Sequence, residues 1–358
     1  MKIILAHPGA SWSIADVEAG LRYGLELHGV EVIPYRLDVR ITRARSWLFQ
    51  GWRKAVKAKP ELPQPTDADV HYEASVPLVE KALRVQADAV VVVSGMFLHP
   101  DVLILLRRAG VKVFVLFTES PYDSERELAV AKLVDGLWTN ERSSLAAFRA
   151  VNPRSGYLPH AWHPERHLAG PQPGDEQVAA HDVVFVGTAF AERIDFLSAI
   201  DWSGIDLGLY GNWTALPKRS RLKRFVRGGV VENLETAALY RRAKIGLNLY
   251  RSSIGWGAQA PRIASADSLN PRAYELAACG VFHLSDPRPE VEEMFGDWVP
   301  TFSSPAEAAA LVHSWLADAA GRASIAAHLP ACVAASSWAE RAASVIGDIQ
   351  SLLAERAA

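Results

Sequence analysis

The sequence predicts an α/β protein built on two doubly wound parallel sheets. The chain opens on a strand at Lys2–Ala6, a helix at 14–28 and a strand at Glu31–Tyr35, an order that favours a parallel sheet. A continuous β-branched run at 87–94 is typical of a strand buried on both faces. A segment rich in proline and glycine, 163–181, then interrupts the alternation, and a second series of strands and helices follows it.

The remaining elements repeat the pattern on both sides of that break. In the first half, apolar periodicity predicts strands at 111–118 and 136–139 and helices at 100–109 and 141–151. The second half contains the larger set of expected elements. These are strands at 182–187, 205–210, 245–249 and 281–284, and helices at 192–200, 234–242, 271–279, 305–319 and 337–356.

A chain of 358 residues exceeds the usual size of one hydrophobic core. We expect an N-terminal domain at 1–168 and a C-terminal domain at 169–336, with the last helix, 337–358, packed back on the first domain. Two similar α/β halves joined by a linker predict a binding site in the cleft between them.

Bulk composition excludes several classes of protein. Net charge is −2, which gives no whole-protein argument for nucleic acid, and the two cysteines, Cys279 and Cys332, are too few for a disulfide framework. The apolar part of the N-terminus is too short for a signal peptide, and no run approaches the roughly 18 apolar residues of a membrane helix. These features predict a cytoplasmic protein without a membrane span.

Two stretches are locally basic. The one between Arg36 and Lys59 carries eight basic residues against Asp38 alone, together with three aromatic residues, and the one between Lys218 and Arg227 carries six basic residues and no acid. Either is a solvated face or a contact for a polyanion, such as donor phosphates, a nucleic acid or an anionic membrane.

Two glycine turns predict a phosphate site in the second half, although the chain contains neither a P-loop nor a GxGxxG fingerprint. Gly187 and Thr188 follow a predicted strand, and Arg193 lies one helical turn further on. Glycine lets the backbone approach a phosphate closely, and arginine neutralises it. A second turn contains Gly211, after which Lys218 and Arg219 are candidates for the same site.

The segment LNPRAYELAACG predicts a capped helix beside that site. Asn270 is a good N-cap, Pro271 suits the first helical position, and Gly280 suits the end. A helix start at the mouth of a parallel sheet attracts anions. Because Glu275 is placed to accept from both hydroxyls of a ribose, the segment suits a nucleotide.

These stretches resemble a known family. The segments DVVFVGTAFAERIDFL, VENLETAALYRRAKIGLNLY and LNPRAYELAACGVFHLSD are similar to the C-terminal domain of glycosyltransferase-B enzymes, closest to the spore-maturation-type proteins with a "glycosyl transferases group 1" domain. The resemblance covers roughly residues 182–302. It implies two Rossmann-like domains that face a cleft, a nucleotide-diphosphate sugar as donor, and no tightly bound cofactor.

The resemblance also implies roles for single residues. Glu275 matches the ribose-binding glutamate, with Asn270 and Arg272 beside it, and the turn of Gly187, Thr188 and Arg193 matches the phosphate-side loop. Related enzymes carry a further glutamate that contacts the sugar, and we expect Ser268 to stand in its place.

Transfer requires stabilisation of the departing diphosphate, which arginines and a helix dipole supply without a metal ion. We therefore expect a metal-independent enzyme with Arg193 in the catalytic set. An inverting reaction also needs a base, for which Glu119, Asp123 and His99 are candidates because each lies at or just after a predicted strand end. Each is equally suited to capping a loop. Retention needs no such base and is the favoured course.

The acceptor is expected on the first half, near 7–13, 96–99 and 119–123. A glycan, a protein, a lipid-linked sugar and DNA with a modified base all remain open, the last because of the basic, tryptophan-bearing stretches. Alternative functions are a DNA-modifying glycosyltransferase that acts on a modified base, a sugar-nucleotide epimerase or glycan phosphorylase on the same fold, and a noncatalytic nucleic-acid-binding protein.

Overall fold

The computed structural model describes residues 1–9, 14–229, 231–254, 261–263 and 265–355. The chain divides into two compact units, the first formed by Met1–Pro159 and Ala339–Ala358 and the second by His160–Trp338. The first segment ends at Pro159, short of the division expected at residue 168. Residues 10–13, part of the expected acceptor region, lie outside the described residues.

The first unit is built on a parallel sheet of six strands in its described part. Apolar β-branched residues dominate the central strand, β3, whose five residues are all buried. The order across the sheet is β2-β1-β3-β4-β5-β6, so Ile4 of β1 pairs with Ile33 on one side and Val90 on the other. The strands are β1 Lys2–Ala6, β2 Glu31–Tyr35, β3 Ala89–Val93, β4 Lys112–Phe117, β5 Gly136–Thr139 and β6 Ser155–Tyr157.

The helices of the first unit begin at clear sequence signals. Thr66 and Asp69 form a reciprocal capping box at the start of α3, and prolines occupy the first turns of α4 and α5. The C-terminal helix, α14, is held to β5 by a hydrogen bond from the Trp138 indole to Asp348 (2.6 Å). The helices are α1 Ala15–Leu27, α2 Leu37–Ala55, α3 Asp67–Ser75, α4 Pro77–Val85, α5 Pro100–Arg108, α6 Ser124–Ala131, α7 Leu145–Val151 and α14 Trp338–Ala354.

The second unit has a parallel sheet of four strands among its described residues, in the order β10-β9-β7-β8. Its strands are β7 His181–Val186, β8 Leu207–Tyr210, β9 Ala243–Asn248 and β10 His283–Ser285. Its helices are α8 Ala191–Ser198, α9 Asn233–Arg241, α10 Pro271–Ala278, α11 Pro289–Phe295, α12 Pro305–Ala317 and α13 Ala319–Cys332. The predicted fold class, α/β with two parallel-sheet units, is confirmed.

The predicted linker at 163–181 is a packed part of the second unit. Asp175 forms a nearly buried ion pair with Arg241 (2.6 Å). The Nδ1 atom of His167 accepts from the N–H of His163, and its Nε2 atom contacts Asn233 Oδ1 at 3.1 Å. Proline and glycine here break regular secondary structure without loosening the chain, because buried polar side chains tie it to α9.

Local boundaries differ from the sequence prediction by a few residues. The strand expected at 281–284 is His283–Ser285, and the helix expected at 141–151 begins as a short 3-10 turn at Arg142–Ser144 before α7. Helices α2, α3, α4, α6, α11 and α13 were not among the expected helices. Helix α13 contains Pro330, which weakens the helical signal in its sequence. Packing in the folded protein stabilises the helix nonetheless.

Candidate functional site

The carboxyl ends of β7 and β9 form the switch point of the second sheet. From β7 the chain continues to β8 on one side, and later returns to β9 on the other. The loops that leave two such strands diverge, and the crevice between them is the usual ligand site of an open parallel sheet. The candidate site therefore lies among the loops at this edge.

The two predicted glycine turns meet here. Gly187 donates its N–H to Tyr210 O (2.9 Å), and Ala189 donates to Asn212 O (2.9 Å). Gly211 has φ +107°, and a Cβ atom on it would overlap the carbonyl of Gly187. Both the backbone conformation and the close approach require glycine at 211.

Arg272 joins the loops that follow β7 and β9. Its Nε atom donates to Val186 O (2.8 Å), and its Nη1 atom donates to Asn248 Oδ1 (3.0 Å). The guanidinium lies over the Phe185 ring at 4.6 Å from its centroid. Its Nη2 atom lies so near Gly187 that a Cβ there would come within 2.6 Å of it. The structure thus brings Arg272 to the glycine turn.

Arg193 makes the same kind of connection from the first turn of α8. Its side chain is 7% exposed, and its two Nη atoms donate to Thr188 O (3.0 Å) and Leu249 O (2.7 Å). Because both atoms already bind carbonyls, Arg193 acts first as a brace of the crevice. Its positive charge is therefore fixed in position.

Asn270 caps α10 as expected, accepting from the N–H of Ala273 (3.0 Å). Its amide donates to Oδ1 of Asn248 (2.8 Å), a fully buried residue that ends β9 and also contacts Arg272. Since Pro271 has no N–H and Asn270 occupies that of Ala273, two of the first three positions of the helix offer no free amide to an anion. Asn248 was not predicted as a site residue, although its position at the end of a strand was a signal that could have identified it.

Glu275 lies one turn into α10 and is half-buried. Burial raises the pKa of the Cys279 thiol to about 12, and the Glu275 carboxylate adds to that rise. Burial likewise raises the pKa of Tyr240, with Glu275 as the next cause. The carboxylate therefore lies near Tyr240 of α9 and Cys279, and its ribose-binding role stays a prediction.

Lys218 and Arg219 are not drawn into this group. Both are exposed, and neither forms a hydrogen bond or ion pair with any residue that the structure describes. Leu222 and Phe225 bury the neighbouring 3-10 turn in the core of the unit. The basic stretch is consequently a solvated surface anchored by two apolar side chains.

A cavity of about 580 Å³ opens at the same edge of the sheet, within the second unit. Its volume lies in the range of small-molecule sites. Its wall includes four arginines and two carboxylates, so cationic side chains outnumber anionic ones. They are Arg193, Arg251, Arg262, Arg288, Glu192 and Asp286. Of the predicted donor-binding residues, Arg193 is the one in this lining. The other five charged residues of the lining were not predicted, although Asp286 directly follows β10 and Arg251 and Arg288 each lie three residues after a strand end.

The two carboxylates of the cavity differ in their ionisation. Burial raises the pKa of Asp286 to about 6, against the opposing effects of the Tyr250 N–H and of Arg288 and Arg193. Burial also disfavours the charged form of Glu192, but hydrogen bonds from Ser253 and the Ser252 N–H hold its pKa below the ordinary value. Near neutral pH the cavity is therefore cationic, and it becomes more so as Asp286 takes up a proton.

The candidate bases of the first unit lie at the carboxyl edge of its own sheet. Glu119 and Asp123 share one loop after β4, in which the Asp123 N–H donates to Glu119 O (3.2 Å). Asp123 pairs with Arg126 (3.4 Å). The loop is tied down by Glu127, a fully buried carboxyl that accepts from the N–H of Glu119 (3.0 Å) and from the Ser120 hydroxyl. Burial raises the pKa of Glu127 to about 8.

His99 is placed apart from those acids, at the start of α5. Its Nδ1 atom accepts from the Asp101 N–H (3.3 Å), its own N–H donates to Ser75 Oγ (3.1 Å), and its ring meets Tyr72 edge-on. These contacts are those of a helix cap. Catalytic roles for His99, Glu119 and Asp123 remain predictions.

The expectation for Ser268 was misplaced by one residue. Eight positions before Glu275 stands Asp267, so this spacing retains an acid, one methylene shorter than glutamate. Ser268 itself is buried and donates to Glu290 Oε1 (3.2 Å). The other carboxylate oxygen of Glu290, Oε2, accepts from the N–H of Leu269. Ser268 therefore orders the chain that leads into α10.

The described residues contain no group of three or more histidine, cysteine, aspartate or glutamate side chains arranged to hold a metal ion. In the same residues, we find no helix with the length and apolar character needed to span a membrane.

Two comparisons with known sequences show similarity to glycosyltransferase-like and spore proteins. The glycosyl transferase-like family profile matches residues 193–347. The spore protein CgeB of Bacillus subtilis is 23% identical over 221 residues, which are 60% of this chain and 69% of the relative.

Similar solved structures cover nearly the whole chain. Sucrose-phosphate synthase of Thermosynechococcus elongatus matches with a TM-score of 0.64 at 13% identity, covering 99% of this chain and 100% of the other. A trehalose-6-phosphate protein of Escherichia coli bound with UDP-2-fluoro glucose matches with a TM-score of 0.58 at 12% identity, covering 98% and 99%.

The fold is thus the glycosyltransferase-B fold. The family resemblance and the enzyme class predicted from the sequence, a glycosyltransferase, are confirmed by the match of residues 193–347 to the glycosyl transferase-like family.

Proposed function

We propose that the chain transfers a sugar from a nucleotide-diphosphate sugar, whose diphosphate binds at the carboxyl edge of the second sheet, to a hydroxyl-bearing acceptor. The observation that carries the proposal is the pair of arginines, Arg193 and Arg272, held by backbone carbonyls on both sides of the switch point between β7 and β9. Guanidinium groups fixed in place before the ligand arrives stabilise an anion without reorganisation.

The cationic cavity supports the same assignment. Arg251 and Arg288 stack on Phe190 and Tyr250 at 4.6 and 4.3 Å, which orders both guanidiniums. Arg262 is exposed at the rim and makes no hydrogen bond or ion pair with a described residue. A diphosphate in this region would meet two ordered guanidiniums and a third that is exposed to solvent. The relative bound to UDP-2-fluoro glucose supports a nucleotide sugar as the donor class.

In the proposed reaction the bond between the anomeric carbon and the diphosphate oxygen breaks, and its electron pair leaves with the diphosphate. The arginines stabilise that developing charge, so the chemistry proceeds without a metal ion. The acceptor oxygen forms the new bond, and its proton passes to the departing phosphate if configuration is retained. If configuration is inverted, Glu119 or Asp123 takes the proton. We favour retention.

A thermal-shift screen with nucleotide sugars tests donor binding directly. We expect at least one donor to raise the melting temperature, and Arg288→Ala to lower the affinity for it about tenfold by removal of one ordered cation. Arg227→Ala is the matched control, because Arg227 lies in the same unit but is exposed and paired with Asp206 (3.1 Å). Equal losses in both variants would refute the site, and the absence of any stabilising donor would refute the function.

Glu275→Gln tests the ribose assignment. The amide keeps the shape but replaces one acceptor oxygen by a donor, so we expect binding of the whole nucleotide sugar to weaken while that of inorganic diphosphate stays unchanged. An equal loss for both ligands would instead indicate that Glu275 supports α10. Donor turnover measured with and without a chelator tests metal independence, and product stereochemistry by NMR tests retention.

The edge of the first sheet supports a proposal for the acceptor class. Ser94 and Thr118 directly follow β3 and β4, and their buried hydroxyl oxygens have no hydrogen-bond partner among the described residues. Buried hydroxyls without partners suit a polyol better than an anion. We therefore favour a glycan or sugar acceptor over a protein, a lipid-linked sugar or a modified DNA base. Donor turnover that needs no acceptor would favour an epimerase instead.

A further inference from the structure

Helix α2 carries an outward stripe of basic residues around one exposed tryptophan. Arg43, Trp47, Gln50 and Lys54 follow each other at helical spacings of four, three and four residues, and all four are exposed. The side chain of Trp47 is 65% exposed, the most of any large hydrophobic residue described in the structure. Residues three and four apart share a face of a helix, so these side chains form one surface.

The opposite face of α2 accounts for its packing. Leu37, Ile41 and Ala44 are buried in the core of the first unit, and Leu48 packs against them. Trp52 lies on that side too and donates its indole N–H to Leu62 O (3.2 Å). The packing of α2 therefore does not depend on the Trp47 ring. The ring is exposed to water, although exposure of its large apolar area is unfavourable.

The charges of the stripe lack local counterions. No acid occurs between Val39 and Pro60. Arg36 and Arg45 are neutralised by Asp38 and Asp67, at 2.6 and 2.7 Å.

Of the other six basic residues of the segment, Arg40 lies over the Tyr35 ring, 4.6 Å from its centroid. The side chains of the remaining five form no hydrogen bond or ion pair with the described part of the chain. They are Arg43, Arg53, Lys54, Lys57 and Lys59, and all five are exposed. The surface is thus cationic within a protein whose net charge is −2.

We propose that this surface, the α2 stripe, binds the headgroup region of an anionic lipid membrane. Free cations match the negative surface potential of such a membrane. A tryptophan that projects from the same face prefers the level of the headgroups, where its ring is apolar and its N–H remains hydrated. The proposal is independent of the transferase function.

A nucleic acid is the less suitable polyanion for this surface. Duplex phosphates satisfy the cations but offer no apolar partner for a single projecting indole, and single strands bind to several aromatic rings in succession. Phe49 and Trp52, which would continue such a series, are packed against the unit. The α2 stripe presents one ring.

Sedimentation of the full-length protein with vesicles tests the proposal. We expect binding to vesicles that contain phosphatidylglycerol, little binding to pure phosphatidylcholine, and loss of binding as salt is raised. Each cation near the surface contributes about fivefold in partitioning, so Arg43→Ala should reduce binding about fivefold. Arg45→Ala on the same helix is the matched control and should change binding less than about twofold, because Asp67 already neutralises Arg45.

Trp47→Phe separates insertion from charge. Quenching of tryptophan fluorescence by brominated phosphatidylglycerol should occur in the wild type and largely disappear in this variant, while its sedimentation stays near the wild-type level. The variants Arg43→Ala and Trp47→Phe should both keep the circular dichroism spectrum of the wild type and its response to the donor.

Three outcomes would overturn the proposal. They are equal binding to neutral vesicles, equal effects of Arg43→Ala and Arg45→Ala, and tighter Arg43-dependent binding to a DNA duplex than to anionic vesicles. The last outcome would assign the α2 stripe to a nucleic acid.

Discussion

The two sheets have the same parallel arrangement but opposite chemistry at their carboxyl edges. In the second unit, Arg193 and Arg272 cross the edge and bind backbone carbonyls from two loops. In the first unit the corresponding edge carries the hydroxyls of Ser94 and Thr118, which have no partner among the described residues, and the buried carboxyl of Glu127. The buried groups at the edge of the second sheet are cationic, whereas these three at the edge of the first are neutral near pH 7. A shared topology thus positions the sites, and the side chains at the strand ends decide which ligand each suits.

The largest effect is expected from the close approach of the glycine turns in the second unit. Gly211→Ala places a Cβ against the Gly187 carbonyl at positive φ, and overpacking together with the backbone penalty should cost about 4 kcal/mol of unfolding free energy. Gly204→Ala is the control, because Gly204 also has positive φ (+76°) but nothing within 4 Å of its Cβ position, so about 1 kcal/mol is expected. Urea denaturation measures both. Equal costs would show that the two turns are not in contact.

The second effect tests whether the edge of the first unit is neutral. The pKa of Glu127 is raised in the folded state to about 8 from an ordinary value of 4.5, so folding stability is lost as pH rises between those values. Glu127→Gln removes this loss. Its stability relative to the wild type should rise by up to about 1.4 kcal/mol per pH unit from pH 5 to 8.

Chemical denaturation at several pH values gives the slope of that difference. Glu125→Gln is the control, because Glu125 is exposed on the same helix. A flat difference for Glu127→Gln would mean that the carboxyl is ionised in the folded protein and that the first edge carries charge.

A third effect concerns the charge of the cavity in the second unit. Asp286 loses its negative charge below about pH 6, while a diphosphate diester keeps its own. Donor affinity should therefore rise about fivefold from pH 7.5 to pH 5. Asp286→Asn should bind tightly at both pH values, as measured by calorimetry.

Asp182→Asn provides the comparison, since Asp182 lies in the same unit but pairs with Lys244 (2.7 Å) away from the cavity lining. It should retain the wild-type pH dependence. Loss of that dependence in Asp182→Asn, or its persistence in Asp286→Asn, would contradict the assigned role of Asp286.

The smallest effect distinguishes ligand-binding hydroxyls from structural ones in the first unit. Thr118→Val removes a buried oxygen without a described partner, so stability should rise by about 1 kcal/mol. The stability of Ser155→Ala should fall by a similar amount, because the Ser155 hydroxyl donates a hydrogen bond to Asn152 O (2.5 Å) that the variant loses. Thermal denaturation shows whether each substitution raises or lowers stability. If Thr118→Val also raises the KM for acceptor and leaves that for donor unchanged, the hydroxyl contacts the acceptor.

The local turns and the helix cap beside the candidate site were predictable from sequence. The cap at Asn270 and the glycine turns at Gly187 and Gly211 were correctly placed, because a cap or a turn depends on residues within a few positions of each other. The cavity carboxylates Glu192 and Asp286 were not predicted. They are 94 positions apart in the chain, and no short pattern relates them.

The sequence by itself determined the alternation of strands and helices, the family resemblance and the cationic character of α2, since hydrophobic period, caps and charge are properties of neighbouring residues. Tertiary structure alone decided that Arg193 and Arg272 brace the crevice, that Lys218 and Arg219 remain in solvent, and that Trp47 projects from the surface. Each of these outcomes depends on which distant strand ends and core side chains surround a residue, and the folded sheet brings those neighbours together.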